Sequence, residues 1–189
     1  RIVRVGSSGS LADAVRPGSV VIATGAVRDE GTSDRWTPRE FPALAHPDAV
    51  AAFCRGARDA RLADSCFAGL VHSKDSFYGR EFGVGPLGQE NERYIRILRD
   101  SGVLATEMEA SVLFVLAAVA SAGAANPLSS PSDAVPVQTA CVLAVYGDPG
   151  SPESELANER ATRVACAGVL AWADPRPAHG RSWPATGGD

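Results

Sequence analysis

The spacing of apolar residues changes several times along the chain, and each spacing predicts an element. Ile2-Val3-Arg4-Val5-Gly6 reads as a strand beginning at the first residues. Residues 19–24 are rich in β-branched side chains and read as a second strand, set off by the Arg16-Pro17-Gly18 turn. Pro47-Asp48 opens a helix predicted over residues 48–61, with Val50, Phe53 and Ala57 at helical spacing. Residues 65–71 and 103–105 read as a third and a fourth strand. Residues 137–145 are apolar except for Gln138 and Thr139, which suits a central fifth strand. Asn91 is placed as the cap of a second helix ending near Asp100, with Tyr94, Ile97 and Leu98 on one face and Ser101-Gly102 as its stop. An apolar helix follows Glu107-Met108-Glu109, and a last helix runs over residues 152–173.

The stretches between are polar or glycine-rich. Residues 28–39 carry too many charges to be expected in a core, and residues 79–90 read as a Gly-rich loop. Residues 123–136 are rich in Pro, Ser and Ala and read as a second loop. Residues 174–189 read as a loose tail after a single domain over 1–173. Strands alternating with helices predict an α/β fold with a single mixed β-sheet flanked by helices. Sites in such folds lie at loops outside strand ends, which singles out residues 6–9, 73–80 and 107–109.

Composition narrows the partners. A chain of 189 residues, 45% hydrophobic and 21% charged, can bury a core. Its net charge of -4 gives no global positive field for nucleic acid or an anionic membrane, although a local pocket for a small anion remains open. Lys74 is the only lysine and reads as the compositional bias of a GC-rich genome. Cys54, Cys66, Cys141 and Cys166 form no CxxC pair, so neither zinc nor a disulfide scaffold is supported. Buried free thiols in a reducing compartment, the cytoplasm, are expected. The apolar run 110–125 falls short of the roughly 20 residues a membrane span needs and reads as a buried helix.

Three segments carry candidate chemistry. In Arg4-Val5-Gly6-Ser7-Ser8-Gly9 the glycines let backbone N–H groups approach an anion, the serines add donors, and the arginine offers a two-pronged charged bond. A plain Gly/Ser turn has the same composition. Glu107-Met108-Glu109 places carboxylates where they suit a helix dipole, and also where one could accept both hydroxyls of a sugar diol. Phe77-Tyr78 could be core, or could stack on a flat ring. An anion, a diol and a flat ring together describe a nucleoside and phosphate.

These segments resemble the nucleoside phosphorylase family, in its uridine-phosphorylase-like branch. Arg4 to Gly9 is similar to the family's phosphate strand-loop. Ala26-Val27-Arg28-Asp29-Glu30-Gly31-Thr32-Ser33, with Pro38 and Phe41-Pro42-Ala43, looks like a segment typical of uridine phosphorylases. His72-Ser73-Lys74-Asp75-Ser76-Phe77-Tyr78-Gly79 is similar to the entry of the base pocket, and Gly102-Val103-Leu104-Ala105-Thr106-Glu107-Met108-Glu109-Ala110 to the ribose motif. The four matches fall in family order. The resemblance implies phosphorolysis of a nucleoside, most naturally uridine, to free base and ribose 1-phosphate. It implies inorganic phosphate as co-substrate, no metal and no other cofactor. Arg4 and Ser7 would hold phosphate. Met108 and Glu109 would hold the ribose, with Glu107 beside them, and Ser8, Gly9, Phe77 and Arg80 would line the base. A homo-oligomer, a dimer or a hexamer of dimers, is implied as well.

The chain departs from the family pattern in two places. Family chains begin further upstream, with a second phosphate loop and a histidine lent to a neighbouring subunit. Omission of upstream residues from the gene model is the simplest expectation, since the motifs present are intact, and the 189-residue chain alone is expected to be poorly stable and nearly inactive. The family's base-reading Gln and Arg are also absent after Phe77-Tyr78, where Gly79-Arg80-Glu81-Phe82 stands instead. That leaves three alternatives open: a purine nucleoside phosphorylase, a nucleosidase using water, or a non-catalytic relative that keeps the fold. Asp148, in Tyr146-Gly147-Asp148-Pro149, lies near the purine branch's acid but out of register, and reads as a turn residue.

Overall fold

The β-branched run after Gly18 forms a strand that the whole sheet is built around, β2 (Val20–Asp29), in a computed structural model that describes residues 1–122 and 136–173. Val20, Val21, Ile22 and Ala23 are all buried, because helices cover both faces of this strand. The other strands are β1 (Ile2–Ser10), β3 (Ala43–Leu44), β4 (Cys66–Lys74), β5 (Ala105–Glu107) and β6 (Thr139–Val145). They lie in the order β3-β2-β4-β5-β1-β6, and β6 also pairs antiparallel with β2, so the sheet closes on itself. The pairs β2–β4, β4–β5 and β1–β6 are parallel, and β1–β5 and β2–β3 are antiparallel. The sheet is therefore mixed, as expected, but its closure was not foreseen.

Helix α1 (Pro47–Asp59) starts where Pro47 predicts, with His46 at its cap accepting from the Asp48 N–H. Its buried face includes Phe53 and Ala57 and meets α4 (Pro152–Ala173). Phe53 stands edge-on to Trp172 with ring centroids 5.9 Å apart. Full burial of such a ring is worth about 1.5–3 kcal/mol. The two helices touch at backbone level: a Cβ on Gly56 would lie 2.4 Å from the Gly168 nitrogen. On the opposite face α3 (Ala110–Ala120) packs Phe114 and Val115 against Val21, Val71 and Leu143. Among the described residues no helix is long and apolar enough to cross a membrane.

Three expectations need correction. Helix α2 (Gly88–Asp100) begins ahead of Asn91, which lies inside it and uses its side chain elsewhere. The inward stripe of α2 runs Asn91, Tyr94, Ile95 and Leu98, a 3-4 spacing, and leaves Ile97 exposed. Residues 28–39 are largely exposed, as expected, but Arg28, Glu30 and Ser33 within them are buried. Arg28 is 7% exposed and Glu30 only 2%. The Arg28 guanidinium donates to Ser33 Oγ at 2.9 Å and to the carbonyls of Pro38 at 2.6 Å and Phe41 at 2.7 Å. Glu30 accepts from the Ser33 N–H and from Ser33 and Ser111 hydroxyls. Charge is tolerated in this interior because nearly every donor and acceptor has a partner. Gly102, at φ +80°, ends α2 as expected. The predicted loop 123–136 lies outside the described residues except for Pro136, and the tail 174–189 lies wholly outside them.

Candidate active site

Strand register brings the three candidate segments to one end of the sheet. Gly9 pairs with Thr106, Thr106 with His72, and Ser73 with Glu107. This row places β1, β5 and the end of β4 side by side, so residues far apart in sequence share one edge.

Arg4 points across β1, and its guanidinium lies over Gly6, where a Cβ would meet Nη1 at 2.6 Å. A side chain at Gly6 would displace it. Arg4 pairs with the Glu109 carboxylate and stands 3.5 Å from Glu107 Oε2, with Nη1 3.7 Å from Cys141 Sγ. Burial works against its charge, but the fields of Cys141, Glu107 and Glu109 outweigh burial and raise its pKa above the ordinary arginine value. Burial conversely pushes the Cys141 thiol up to about 12, which leaves it inert. The Glu109 side chain is 60% exposed, so its bond to Arg4 is a surface ion pair worth about 0–1 kcal/mol. An arriving oxyanion with two acceptor oxygens can replace it at little cost.

The two glutamates divide their work. Glu107 is buried, and its Oε2 accepts from the N–H groups of Glu109 and Ala110, each at 2.9 Å, while Ser73 Oγ donates to Oε1. It fixes the start of α3 from within and presents no free oxygen to a ligand. Glu109 stands at the N-cap of α3 without a capping bond, open to solvent beside Met108. Ser7 is exposed on β1, whereas Ser8 is 6% exposed and its hydroxyl donates to the Ala144 carbonyl. The structure thus brings Arg4, Ser7, Met108 and Glu109 to the surface. It turns Ser8 inward, and Glu107 as well, where Glu107 supports the backbone of Glu109 from within.

The segment read as the start of a loop is a single turn of π-helix over Phe77–Glu81, capped by the Ser76 hydroxyl accepting from the Gly79 N–H. Arg80 folds back from it. Nε and Nη2 donate to the two oxygens of Asp29, at 2.6 and 2.9 Å, and Nη1 donates to Asn91 Oδ1 at 2.6 Å. The guanidinium also lies 4.3 Å from the Tyr94 ring centroid. Asp29 in turn meets His72 Nε2 at 3.0 Å. Burial alone would raise the Asp29 carboxyl, but the bonds from His72 and Arg80 prevail and hold it below the usual carboxylate range. Asp29, Arg80 and Asn91 also border a cavity of about 350 Å³ closed by Asp75, Val84 and Leu87; of the predicted site residues only Arg80 lines it. The side chains gathered around Arg4 lie outside this cavity.

Two further side chains stand here: Lys74, which the sequence showed only as a compositional oddity, and Glu81, which it offered as an acceptor beside Arg80. Lys74 is 1% exposed, and its Nζ donates to Thr106 Oγ1 at 2.9 Å and stands 2.9 Å from Glu81 Oε2. It lies 5.5 Å from the centroid of Phe77, whose ring is otherwise exposed. Its signal was present: a chain that uses arginine for every other cation has one lysine, at the end of a strand. The second is Glu81, whose Oε1 lies over Gly9. Among the described residues no group of three or more His, Cys, Asp or Glu side chains is arranged to hold a metal ion.

A mixed sheet that gathers an arginine, an exposed carboxylate and an aromatic lip at one end can be set beside known proteins. Residues 1–165 match the phosphorylase superfamily, and the chain belongs to it. It is 39% identical over 118 residues to a uridine phosphorylase of Treponema pallidum, covering 62% of this chain and 45% of that protein. It is 34% identical over 115 residues to a guanosine phosphorylase of Halorubrum lacusprofundi, covering 61% and 43%. A uridine phosphorylase of Thermococcus kodakarensis is 35% identical over 118 residues, covering 61% and 42%. The chain therefore spans less than half the length of these curated relatives. A solved structure of the P. knowlesi homologue of P. falciparum PNP superposes with a TM-score of 0.65 at 23% identity, covering 92% of this chain and 63% of that one, which supports the fold.

Proposed function

We propose that this chain carries the phosphate and ribose side of a nucleoside phosphorylase whose substrate is uridine. Inorganic phosphate attacks C1′, the bond from C1′ to the base nitrogen breaks, and the base leaves with the bonding pair and takes up a proton. Ribose 1-phosphate is the other product. The observation that carries the reading is the meeting of Arg4 and Glu109 at one strand end. When phosphate takes the Arg4 guanidinium, with Ser7 as a further donor, Glu109 is released to accept the ribose hydroxyls beside Met108. Positive charge developing at the sugar then sits between the anion and the carboxylate. This is catalysis by positioning and electrostatics, with phosphate as co-substrate and no protein nucleophile. The reading includes a homo-oligomer in the cytoplasm, since residues from a neighbouring subunit would complete the site.

Arg4 favours phosphorolysis over hydrolysis, because an anion-binding arginine has no task when the nucleophile is water. The guanosine phosphorylase among the relatives keeps a purine nucleoside as the second reading. The test follows uridine by ultraviolet absorbance with and without phosphate, on the 189-residue chain and on a version extended upstream. Cleavage that requires phosphate is expected. Equal cleavage without phosphate would identify a nucleosidase, and guanosine cleavage with uridine untouched would move the substrate to the purine class.

A further inference from the structure

A carboxylate that has left water normally collects donors, and Glu81 has only one cation beside it. Its side chain is 19% exposed, and its buried Oε2 stands 2.9 Å from Lys74 Nζ without the alignment of a hydrogen bond. Among the described residues Oε1 accepts no hydrogen bond. It lies over Gly9 instead, 2.7 Å from where a Cβ would be. Any larger residue at that position would push the carboxylate away. One oxygen is thus held by Lys74, and the other is left without a protein donor for a ligand to fill. The surroundings are those of a flat polar ligand: the Gly9 backbone, the exposed Phe77 ring and the Lys74 cation 5.5 Å from that ring. Arg80, by contrast, has three of its N–H groups committed to Asp29 and Asn91.

We infer that Glu81, and not Arg80, reads the base, with its free carboxylate oxygen accepting the ring N–H of the nucleobase, and that Lys74 is the positioning residue that anchors it. The inference rests on the phosphorolysis reading and adds to it the group that recognises the base. A carboxylate offers only acceptors. It selects a base that presents an N–H at this edge, as the imide of uracil does, and it penalises one in which that position is blocked.

The experiment compares phosphorolysis of uridine and 3-methyluridine, which differ only in that N–H. Sites that hydrogen-bond a substrate N–H discriminate by about 10⁴ or more against analogues lacking it. The unsubstituted protein is expected to favour uridine by at least about a hundredfold. In Glu81→Ala the ratio should fall to within about tenfold of unity, chiefly through loss of uridine turnover. The double variant Glu81→Ala/Lys74→Met, which leaves no orphaned cation, keeps the test open should the single variant fail to fold. It is expected to show the same collapse. Retention of the ratio in a folded variant overturns the inference and leaves the phosphorolysis reading standing. All variants are made in the upstream-extended protein, and failure of its unsubstituted form to cleave uridine in the presence of phosphate overturns that reading, and the inference with it.

Discussion

At the scale of single residues, the site is a set of charges whose partners differ in strength. Arg4 holds an exposed glutamate loosely, whereas Glu107 is bound by two backbone N–H groups and a serine. The loose bond is the one a substrate can replace. Arg4→Gln should therefore weaken phosphate more than nucleoside. Loss of a charge-assisted bond of about 1.5–3 kcal/mol corresponds to a rise in the phosphate KM of roughly 10- to 150-fold. Steady-state kinetics with each substrate varied in turn checks this, and a larger rise in the nucleoside KM would move Arg4 out of the phosphate site. Sequence made Arg4 and Glu109 legible because each belongs to a short contiguous motif. Their different exposure comes from the element boundary, since Glu107 ends β5 whereas Glu109 stands at the N-cap of α3 and no longer follows strand alternation. The fold-back of Arg80 was not legible, because its partners, Asp29 and Asn91, lie on other elements.

At the scale of elements, the long periodic segments were legible and their ends less so. The strands 20–29 and 139–145 and the helix 152–173 declare themselves by composition. The π-helical turn at Phe77–Glu81 does not, because its glycines and aromatics also suit a loop and its hold comes from Ser76 and Arg80. Nor does the burial of Arg28 and Glu30 at the start of an otherwise exposed charged segment. The contact of α1 with α4 gives a prediction whose sign depends on magnitudes. Replacing Gly56 by alanine gains about 1 kcal/mol of helix propensity. The new methyl group, however, meets backbone atoms of Ala167 and Gly168 at 2.7 and 2.4 Å, which no rotamer change relieves. Overpacking of this kind costs about 1–3 kcal/mol, so Gly56→Ala should be net destabilising and should lower Tm. A raised Tm in calorimetry would mean that the helices separate freely.

At the scale of the whole molecule, one polar network ties the π-helical turn to three strands that share a hydrophobic core. Asp29 ends β2, His72 lies on β4, Thr106 on β5 and Arg80 on the π-helical turn, and hydrogen bonds connect all four. The folded carboxyl of Asp29 titrates below its unfolded value. Its contribution is therefore fully present above the ordinary aspartate pKa of about 3.9 and is lost as pH falls through the lower, folded value. The gap in unfolding free energy between the native protein and Asp29→Asn should be widest near neutral pH and should shrink below about pH 4. Urea titrations at several pH values measure it, and a gap that stays constant into acid would show that Asp29 gains nothing from His72 and Arg80.

The closure of the sheet by β6 also sets an order of events. From Ile2 to Ser8, β1 pairs only with β6, and it meets β5 only at Gly9 and Ser10. β1 thus waits for β6 to be synthesised. At roughly 5–20 residues per second the wait is on the order of ten seconds. Meanwhile β2, α1 and β4 can assemble into a parallel unit with its inner surface uncovered. Ile2, Val3 and Val5 remain an unclaimed sticky edge throughout, so a chaperone that shields β1 should raise the yield of folded protein, and slower translation should lower it.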